Sequence, residues 1–421
     1  MALIGWLIGA ITTVAGSDSP FWVRMPGAAL HGMTALILAA LAARMYGPRR
    51  ALLVAAAYVT LPMVAVGSLL ISTDSVMAPF FAAALFFHYR LTTTGAARFA
   101  LLAGLAVGVA FLAKYAALYF LAGVALGALL RIDMRISGRN TLILLGAFGA
   151  VVAPNIAWNL SNNMSTLSHT LDNIGWVRNE QPMSGVNPLR MIEFILSQFA
   201  VTGPVLFASI LMALRRPAKM GHLLAFVVPA LGVVSVQALF GEAYANWAAS
   251  AFFAGTIVAV ILIAGSRRLL LASFAINIAI CLILPLATIF PRISVDGEAP
   301  LMARYLGRES MSQQIIVLAQ QAGNVPVVAN DRNILADLFY SGRSSDLAFY
   351  AVRPKGRPGS HYELNFPAPA AMTGTVLLVS ALPPKCAIEP APIPLQTIGG
   401  AYEKNGMAAY LIAAECLDAA R

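Results

Sequence analysis

Long apolar segments with almost no charge follow one another along the first 290 residues. Each is close to the roughly 20 residues that an α-helix needs to cross a bilayer, and polar connections separate them. The pattern predicts ten membrane spans, at residues 26–44, 50–67, 75–91, 98–113, 115–131, 140–158, 191–214, 221–240, 247–265 and 269–290. Because backbone groups inside lipid must be satisfied within helices or closed barrels, we expect an all-α polytopic bundle over 26–290.

The two ends of the chain depart from this pattern. Residues 1–25 are apolar and then polar, and the apolar part is too short to span, so we interpret them as a juxtamembrane segment. Residues 291–421 carry charges, proline clusters and short β-rich runs. Within them, "QQIIVLAQQAG" and "NILADLFYSG" are typical of helices, and "VPVVAN" and "TVLLVSA" of buried strands. This region is predicted to be a small extramembrane α/β domain.

The composition supports a membrane protein. Of the 421 residues, 59% are apolar and 11% are charged, whereas soluble proteins carry roughly 25% charged residues. The net charge of +10 follows topology: alternate loops contain "RMYGPRR", "YRLTTTGAAR", "RIDMRISGR", "RRPAK" and "SRR". These loops are predicted to be cytoplasmic by the positive-inside rule. The remaining loops and the C-terminal domain then face outward, and the basic residues do not indicate nucleic-acid binding.

Polar residues at membrane depth mark candidate sites, and the first is Asp74 in "LLISTDSVMAP". It lies at the outer end of one predicted span and the start of the next. One interpretation is structural, with Thr73 or Asp74 capping the following helix. The other is a contact with substrate, which a capping acid can also make.

The second candidate is Lys114, in "GVAFLAKYAALYF". A single lysine among apolar residues is often a snorkelling interface residue, but the positive-inside rule disfavours lysine on the outer side. The alternative is that Lys114, beside Tyr115, binds the phosphate of a lipid-linked substrate as a point charge.

The third candidate is a polar and aromatic stretch, "PNIAWNLSNNMSTLSHTLDN" at 154–173, echoed by "GEAYANWAASAFF" at 241–253. An interfacial aromatic belt explains the tryptophans but not the Asn, Ser, Thr and His residues, whose uncharged groups suit sugar hydroxyls. The predicted sugar or acceptor cavity comprises Asn155, Trp158, Asn159, His169, Glu242, Asn246 and Trp247.

The cysteines and histidines predict little chemistry of their own. Cys281 is interpreted as a small core residue, and a disulfide between Cys386 and Cys416 is one option for the outward domain. The five histidines are scattered and form no recognisable ligand cluster. No metal site is predicted, and dependence on a divalent cation stays open.

At these residues the chain resembles polyprenyl-phosphate-sugar-dependent glycosyltransferases of the GT-C fold, near the protein mannosyltransferases and the lipid A aminoarabinose and galacturonic acid transferases. The matching motifs include "FWVRMPGAALHG", "LLISTDSVMAPF", "GLAVGVAFLAKYAAL", "EAYANWAASAFFAG" and "VVANDRNILADLFYSG". The resemblance implies a bacterial inner-membrane enzyme with a periplasmic active face. It also implies inverting transfer of a sugar from a polyprenyl-phosphate donor to lipid A, another glycan or a protein.

The resemblance carries over to only some residues. Asp74 matches a second acidic position near the family's active site, and Lys114 matches a residue that grips the donor phosphate. The catalytic carboxylate of the family lies in the first outer loop, before a segment like "MALIGWLIGAI". We therefore expect an N-terminal helix and loop to precede this chain, with residues 1–25 as the remnant of that loop.

Two other functions are compatible with the sequence. A transporter or flippase for a lipid or a lipid-linked sugar would place polar residues near the bilayer midplane in broken helices, whereas here they collect at outer helix ends. A non-catalytic member of the family, lacking the first-loop carboxylate, is the other alternative.

Overall fold

The computed structural model describes residues 2–162, 164, 166, 185–215, 217–294, 300, 302–386, 391–397, 400–403 and 406–418. The chain divides into two compact units, Met1–Pro285 and Leu286–Arg421. The first unit is helical, with α1 Ala2–Ala15, α2 Pro20–Tyr46, α3 Pro48–Val59, α4 Pro62–Leu69, α5 Thr73–Thr94, α6 Ala97–Ala113, α7 Leu118–Leu130, α8 Gly138–Ser161, α9 Pro188–Thr202, α10 Pro204–Leu214, α11 Pro217–Phe240, α12 Ala251–Ile263 and α13 Arg267–Ile289.

The ten predicted spans are not confirmed. Among the described residues, four helices are long and apolar enough to cross a membrane: α2, α8, the Met220–Phe240 part of α11, and α13. The pair α3 and α4 makes a fifth candidate, bent by 58°. Several other predicted spans are shorter helices, such as α6, α7, α10 and α12. The chain is a multi-pass membrane protein with fewer full-length spans than its hydropathy suggested.

Proline and glycine account for the two broken spans. The predicted helix 50–67 stops at Thr60 and restarts at Pro62. The predicted helix 191–214 stops at Thr202, because Gly203 has a φ of +88° and Pro204 begins a new helix. Proline lacks the N–H that a helix interior needs, but it is favourable in the first turn. Hydropathy averages over such a break and therefore misses it.

Helix α13 hydrogen-bonds to both breaks. Asn277 Nδ2 donates to the Thr202 carbonyl over 3.1 Å, and Cys281 Sγ donates to the Thr60 carbonyl over 3.2 Å. A carbonyl orphaned inside lipid is costly, so these side chains stabilise backbone that the helices leave unpaired. Asn277 lies where a side chain on Gly203 would sit, which accounts for glycine there. Cys281, interpreted from the sequence as a small core residue, thus also donates a hydrogen bond to the backbone.

Basic loops at the end of α5 and before α8 meet at one end of the helices, and the start of α11 lies beside them. Asn140 Nδ2, at the start of α8, donates to the Gly95 carbonyl between α5 and α6 over 2.9 Å. Thr92, near the end of α5, lies 3.5 Å from a ring nitrogen of His222 near the start of α11. Asp74 lies at the other end of α5, whose 22 residues span about 33 Å. Asp74 and the arginine-rich loops are thus at opposite ends of this unit.

Helix α12 is the most buried helix of the core. Its residues from Ala251 to Val260 are all buried, as expected for a helix that is apolar on every side. Phe253 contacts Tyr58 of α3 and Phe81 of α5, with ring centroids 6.4 and 5.3 Å apart. This packing holds the loop before α12 close to the first turn of α5.

The second unit is an α/β domain. Its helices are α14 Arg308–Gln321, α15 Arg332–Ser341 and α16 His361–Asn365, and its strands are β1 Val327–Ala329, β2 Phe349–Ala351, β3 Thr375–Ser380, β4 Ile393–Pro394 and β5 Ala408–Ala413. The sheet order is β2-β1-β3-β5-β4, with β2, β1 and β3 parallel and β5 antiparallel to β3 and β4. The two helices and two strands predicted here are confirmed, and Cys386 and Cys416 form a disulfide.

A charged network joins α14, α15 and the loop before β5. Tyr402 donates to Asp337 Oδ2 over 2.6 Å, and Arg308 Nη1 donates to the same oxygen over 3.0 Å. Tyr402 is buried. Burial, and then the hydrogen bond to Asp337, raise the pKa of the Tyr402 phenol above its ordinary value of 10.0.

We expect Tyr402→Phe to lower the free energy of unfolding by roughly 1.5 kcal/mol at neutral pH, because it removes a hydrogen bond to a charged acceptor. A group whose pKa is raised by folding contributes to the stability of the folded protein below its ordinary pKa. That contribution is lost as the pH rises through the pKa of the folded state. The difference between wild type and variant should therefore shrink above about pH 10. Thermal melting of the full chain at several pH values measures this difference, with Tyr305→Phe, at an exposed tyrosine, as the control. A stability difference between wild type and Tyr402→Phe that stays constant with pH would contradict the prediction.

Candidate functional site

Asp74, Lys114 and Asn246 form a hydrogen-bonded group, here called the Asp74 triad. Lys114 Nζ donates to Asp74 Oδ1 over 2.6 Å, and Asn246 Nδ2 donates to Asp74 Oδ2 over 3.1 Å. Lys114 Nζ also lies 3.4 Å from the backbone carbonyl of Asn246. The fold thus brings together Asp74, Lys114 and the 241–253 segment that the sequence singled out. The 154–173 stretch is not part of the triad.

Local structure places Asp74 in the first turn of α5 without using its carboxylate to cap the helix. The N-cap is Ser72, whose hydroxyl accepts from the Ser75 backbone N–H over 3.2 Å. The capping alternative for Thr73 or Asp74 is therefore wrong, because Ser72 already satisfies that donor. A carboxylate in the first turn is favoured by the helix dipole, and both of its oxygens are used by the Asp74 triad.

Lys114 lies where a helix ends. Its backbone is extended, with φ −154° and ψ 132°, between α6 and a 3₁₀ turn at Tyr115–Ala117. Asn246 lies in a 3₁₀ turn, Ala245–Ala248, just before α12. Such non-helical backbone at a helix end directs side chains toward a shared site more freely than a continuous helix does. The side chain of Lys114 pairs with the Asp74 carboxylate. The snorkelling interpretation would instead have extended it toward water.

The Lys114–Asp74 ion pair is partly enclosed. The exposed fractions of the two side chains are 15% and 20%. An ion pair at a fully exposed surface contributes little to stability, whereas breaking a buried pair by removing one partner is costly. The Lys114 side chain is therefore not fully enclosed, and Asp74 sets the position of its ammonium.

A second polar network, here called the His31 network, lies next to the Asp74 triad. His31 Nδ1 is 3.0 Å from the Tyr58 hydroxyl, and His31 Nε2 is 3.1 Å from Ser75 Oγ. Ser75 Oγ in turn donates to the Gly67 carbonyl over 3.1 Å. Because Ser75 has a single hydroxyl proton, we assign the proton of the imidazole to Nε2, with Tyr58 donating to Nδ1.

The His31 network ties α2, α3 and α4 to the first turn of α5, next to Asp74. All three side chains, His31, Tyr58 and Ser75, are buried. A methyl group on Gly67 would overlap the His31 ring, so this position needs glycine. Sequence reasoning did not single out His31; its signal is a histidine inside an otherwise apolar span.

We expect His31→Ala to lower the melting temperature of the full chain in detergent by an amount equivalent to about 1–3 kcal/mol. The reason is that Ser75 Oγ and the Tyr58 hydroxyl would lose a buried partner. His361→Ala is the matched control, since His361 is exposed and its hydrogen bonds with Asn365 lie within α16. Equal melting of the two variants would contradict the role of the His31 network.

The polar stretch at 154–173 begins inside a helix, because α8 continues to Ser161. Asn159 is buried, and its Nδ2 donates to the Asn155 carbonyl over 2.9 Å, while its Oδ1 accepts from the Thr166 N–H over 3.2 Å. Trp158 is half exposed. His169 lies outside the described residues. Asn159 therefore stabilises the end of α8, and Trp158 stays available for contacts.

Tyr115 connects this stretch to Lys114. Its ring stacks on Phe111 with centroids 4.7 Å apart, and Phe111 packs against Phe148 of α8 at 5.6 Å. The Tyr115 hydroxyl interacts with the side chain of Asn159. Tyr115 is thus held against α8 beside the Asp74 triad.

Glu242 and Trp247 form a separate surface cluster in the loop that carries Asn246. Tyr244 donates to Glu242 Oε2 over 3.2 Å, and its ring meets Trp247 edge-on at 5.4 Å. The Glu242 side chain is exposed. In the part of the chain that the structure describes, no group of three or more His, Cys, Asp or Glu residues could hold a metal ion.

Comparison with known proteins identifies relatives along the whole chain. Residues 2–158 match the family described as dolichyl-phosphate-mannose-protein mannosyltransferase. The chain is 37% identical over 426 residues to the lipid A galacturonosyltransferase RgtD of Rhizobium johnstonii, which covers 99% of this chain and 89% of that protein.

The fold is similar to that of crystal structures of ArnT from Cupriavidus metallidurans. The apo form has a TM-score of 0.60 at 13% identity, covering 98% of this chain and 87% of ArnT. The form bound to undecaprenyl phosphate has a TM-score of 0.64 at 14% identity, covering 99% and 88%. At this identity, the likeness concerns the fold. These relatives confirm the resemblance and the glycosyltransferase activity predicted from the sequence: the chain belongs to the membrane glycosyltransferase family that includes the lipid A galacturonosyltransferase RgtD.

Proposed function

We propose that this protein transfers galacturonic acid from a polyprenyl-phosphate donor to lipid A. The observation that carries the proposal is the 37% identity to RgtD over 99% of the chain. The name of RgtD supplies the sugar and the acceptor, and the ArnT complex with undecaprenyl phosphate supports the class of donor. A protein acceptor and a mannosyl donor are the second candidate, favoured by the family match over residues 2–158.

In this proposal Lys114 binds the phosphate of the donor. When the sugar leaves, the bond between its anomeric carbon and the phosphate oxygen breaks, and negative charge accumulates on the polyprenyl phosphate. A fixed cation close to that charge stabilises the transition state more than the ground state, and so lowers the barrier. We propose that Lys114, which the Asp74 triad orients, supplies this cation.

Asp74 and Asn246 act as positioning residues. Asp74 accepts from Lys114 with one oxygen and from Asn246 with the other, so the lysine side chain is oriented before the donor arrives. The acceptor hydroxyl attacks the anomeric carbon and passes its proton to a general base. We do not assign that base to Asp74, because both of its oxygens already accept hydrogen bonds.

The remaining predicted residues form the walls for sugar and acceptor. Trp158 and Trp247 offer aromatic faces for sugar rings, and Tyr115 adds a hydroxyl beside Lys114. Asn155, Asn159 and Glu242 offer groups that bond sugar hydroxyls. His169 is proposed to line the sugar or acceptor cavity, as the sequence predicted.

The active face is proposed to be periplasmic, with the protein in the bacterial inner membrane. Support comes from the arginine-rich loops at the end of the helices opposite Asp74, which the positive-inside rule assigns to the cytoplasm. Tyr244→Cys in intact cells should react with a membrane-impermeant maleimide that enters the periplasm, whereas Thr94→Cys should react only after lysis. The reverse labelling would overturn the topology.

The test of the activity is transfer by the full chain in detergent. Polyprenyl-phosphate-linked galacturonic acid is the donor and purified lipid A the acceptor, with mass spectrometry of the lipid product. We expect addition of one uronosyl residue. A parallel reaction contains polyprenyl-phosphate mannose and an unfolded peptide. Product only in the second reaction would favour the protein acceptor, and product in neither would overturn the proposed function.

A further inference from the structure

The C-terminal unit contains a cavity that the proposed transfer does not use. Its volume is about 300 Å³, and it lies where β1 and β2 end. These strands are parallel neighbours, with Val327 opposite Phe349 and Ala329 opposite Ala351. Open α/β sheets bind ligands outside the carboxyl ends of their strands, and this cavity lies at those ends, on the β2 side of the switch point between β1 and β3. The position in the fold therefore suits a binding site.

The lining combines an apolar floor with polar groups of both signs. The apolar part is formed by Ala329, Leu335, Ala351, Val352 and Pro354. The polar part is formed by Asn330, Arg353, Lys355, Ser360 and Glu363. Two cations and one carboxylate give the lining a formal charge of +1. The combination of an apolar lining, a cationic pair and hydroxyl-bonding groups points to a polar ligand with one anionic group.

Several of these side chains are held in place by hydrogen bonds to other parts of the unit. Arg353 donates from Nε and Nη2 to the Ala368 carbonyl over 3.2 and 2.7 Å. Glu363 Oε2 accepts from the Gly359 N–H over 2.6 Å, and Asn330 Nδ2 donates to Ser380 Oγ over 3.1 Å. Groups that are already oriented lose less entropy when a ligand binds.

We propose that this cavity binds an acidic saccharide unit, through its carboxylate or phosphate group. Arg353 donates from Nε and Nη2 to the Ala368 carbonyl, so its Nη1 end is the part of the guanidinium that would meet either anion. Lys355 adds a second positive charge. Asn330, Ser360 and Glu363 can bond sugar hydroxyls, while Val352 and Pro354 face the apolar side of a ring. Ligand pockets run from about 300 to 1,000 Å³, so one or two sugar rings fit and a whole lipid does not.

This site lies outside the proposed transfer chemistry, and its test requires no turnover. The full chain in detergent is incubated with D-galacturonate, glucose 1-phosphate or galactose, and hydrogen exchange of residues 351–363 is followed by mass spectrometry. We expect both anionic sugars, or one of them, to slow exchange in this segment, and galactose to have no effect. Protection by only one anionic sugar identifies the group that is bound. Equal protection by galactose, or none by any of the three, would overturn the proposal.

Three variants separate recognition from folding. Lys355→Gln should weaken binding of the anionic sugars by about threefold or more, since one charge contact is lost. Lys385→Gln, an exposed lysine of the same unit outside the cavity, should leave binding unchanged. Arg353→Gln should weaken binding further, but it also removes bonds to Ala368, so Lys355→Gln is decisive. Equal affinities for wild type and Lys355→Gln would contradict the role of the cationic pair.

Discussion

Replacing Lys114 by alanine is expected to reduce the turnover of sugar transfer by about 10²–10³-fold, the usual effect of removing one preorganised group that stabilises developing charge. The ammonium lies 2.6 Å from Asp74, and the Lys114 side chain is 15% exposed, so it is oriented without being closed off from a donor. The loss should fall mainly on kcat, because the negative charge on the leaving phosphate develops in the transition state.

Initial rates with saturating polyprenyl-phosphate-linked sugar and lipid A, measured for the purified full chain, check this result. Lys385→Ala is the matched control, since it removes an exposed lysine from the other unit. Lys114→Arg provides a second comparison: the charge stays, but the planar guanidinium does not reproduce a compact ammonium, so partial activity is expected. A Lys114→Ala enzyme with wild-type kcat would remove Lys114 from the reaction.

The second large effect concerns the pairing of Lys114 with Asp74. Asp74→Asn keeps the shape of the side chain but leaves one oxygen where there were two, so Lys114 and Asn246 cannot both keep their acceptor. It also leaves a partly buried ammonium without its counter-charge, which is the costly way to break an ion pair. We expect Asp74→Asn to destabilise more than Lys114→Gln combined with Asp74→Asn.

A double-mutant cycle measures this coupling. For residues in direct contact the interaction energy is expected to be about 0.5–3 kcal/mol in thermal unfolding. Activity gives the independent readout: if Asp74 positions Lys114, the kcat losses of the two single variants should not add in the double variant. Additive losses in both stability and kcat would show that the two residues act separately.

Local patterns in the sequence were sufficient for much of the fold. The strands "VPVVAN" and "TVLLVSA" were predicted because an apolar β-branched run specifies a buried strand through short-range properties alone. The helix starting at Arg332 was recognisable from its apolar spacing and terminal glycine. The breaks at Thr60 and Thr202 were missed because mean hydropathy does not detect where a proline begins a new helix. In addition, the carbonyls exposed at these breaks are stabilised by side chains of α13, which lies far away in the sequence.

The candidate site divides in the same way. Asp74, Lys114 and Asn246 could each be selected because a polar residue beside an apolar span is unusual in any sequence. Their mutual arrangement could not, since they are separated by 40, 132 and 172 positions and meet only after α5, α6 and the loop before α12 have packed. His31 was missed because its partners, Tyr58 and Ser75, lie 27 and 44 positions away.

The sequence by itself determined the membrane class, the alternation of basic loops, the α/β character of the C-terminal unit and the family. These depend on composition and on patterns within a few turns of chain. Only the tertiary structure decided which acid pairs with Lys114, that Ser72 caps α5, and that a cavity opens where β1 and β2 end. These features depend on side chains that approach one another across long separations, where hydrogen-bond geometry and burial select the partner.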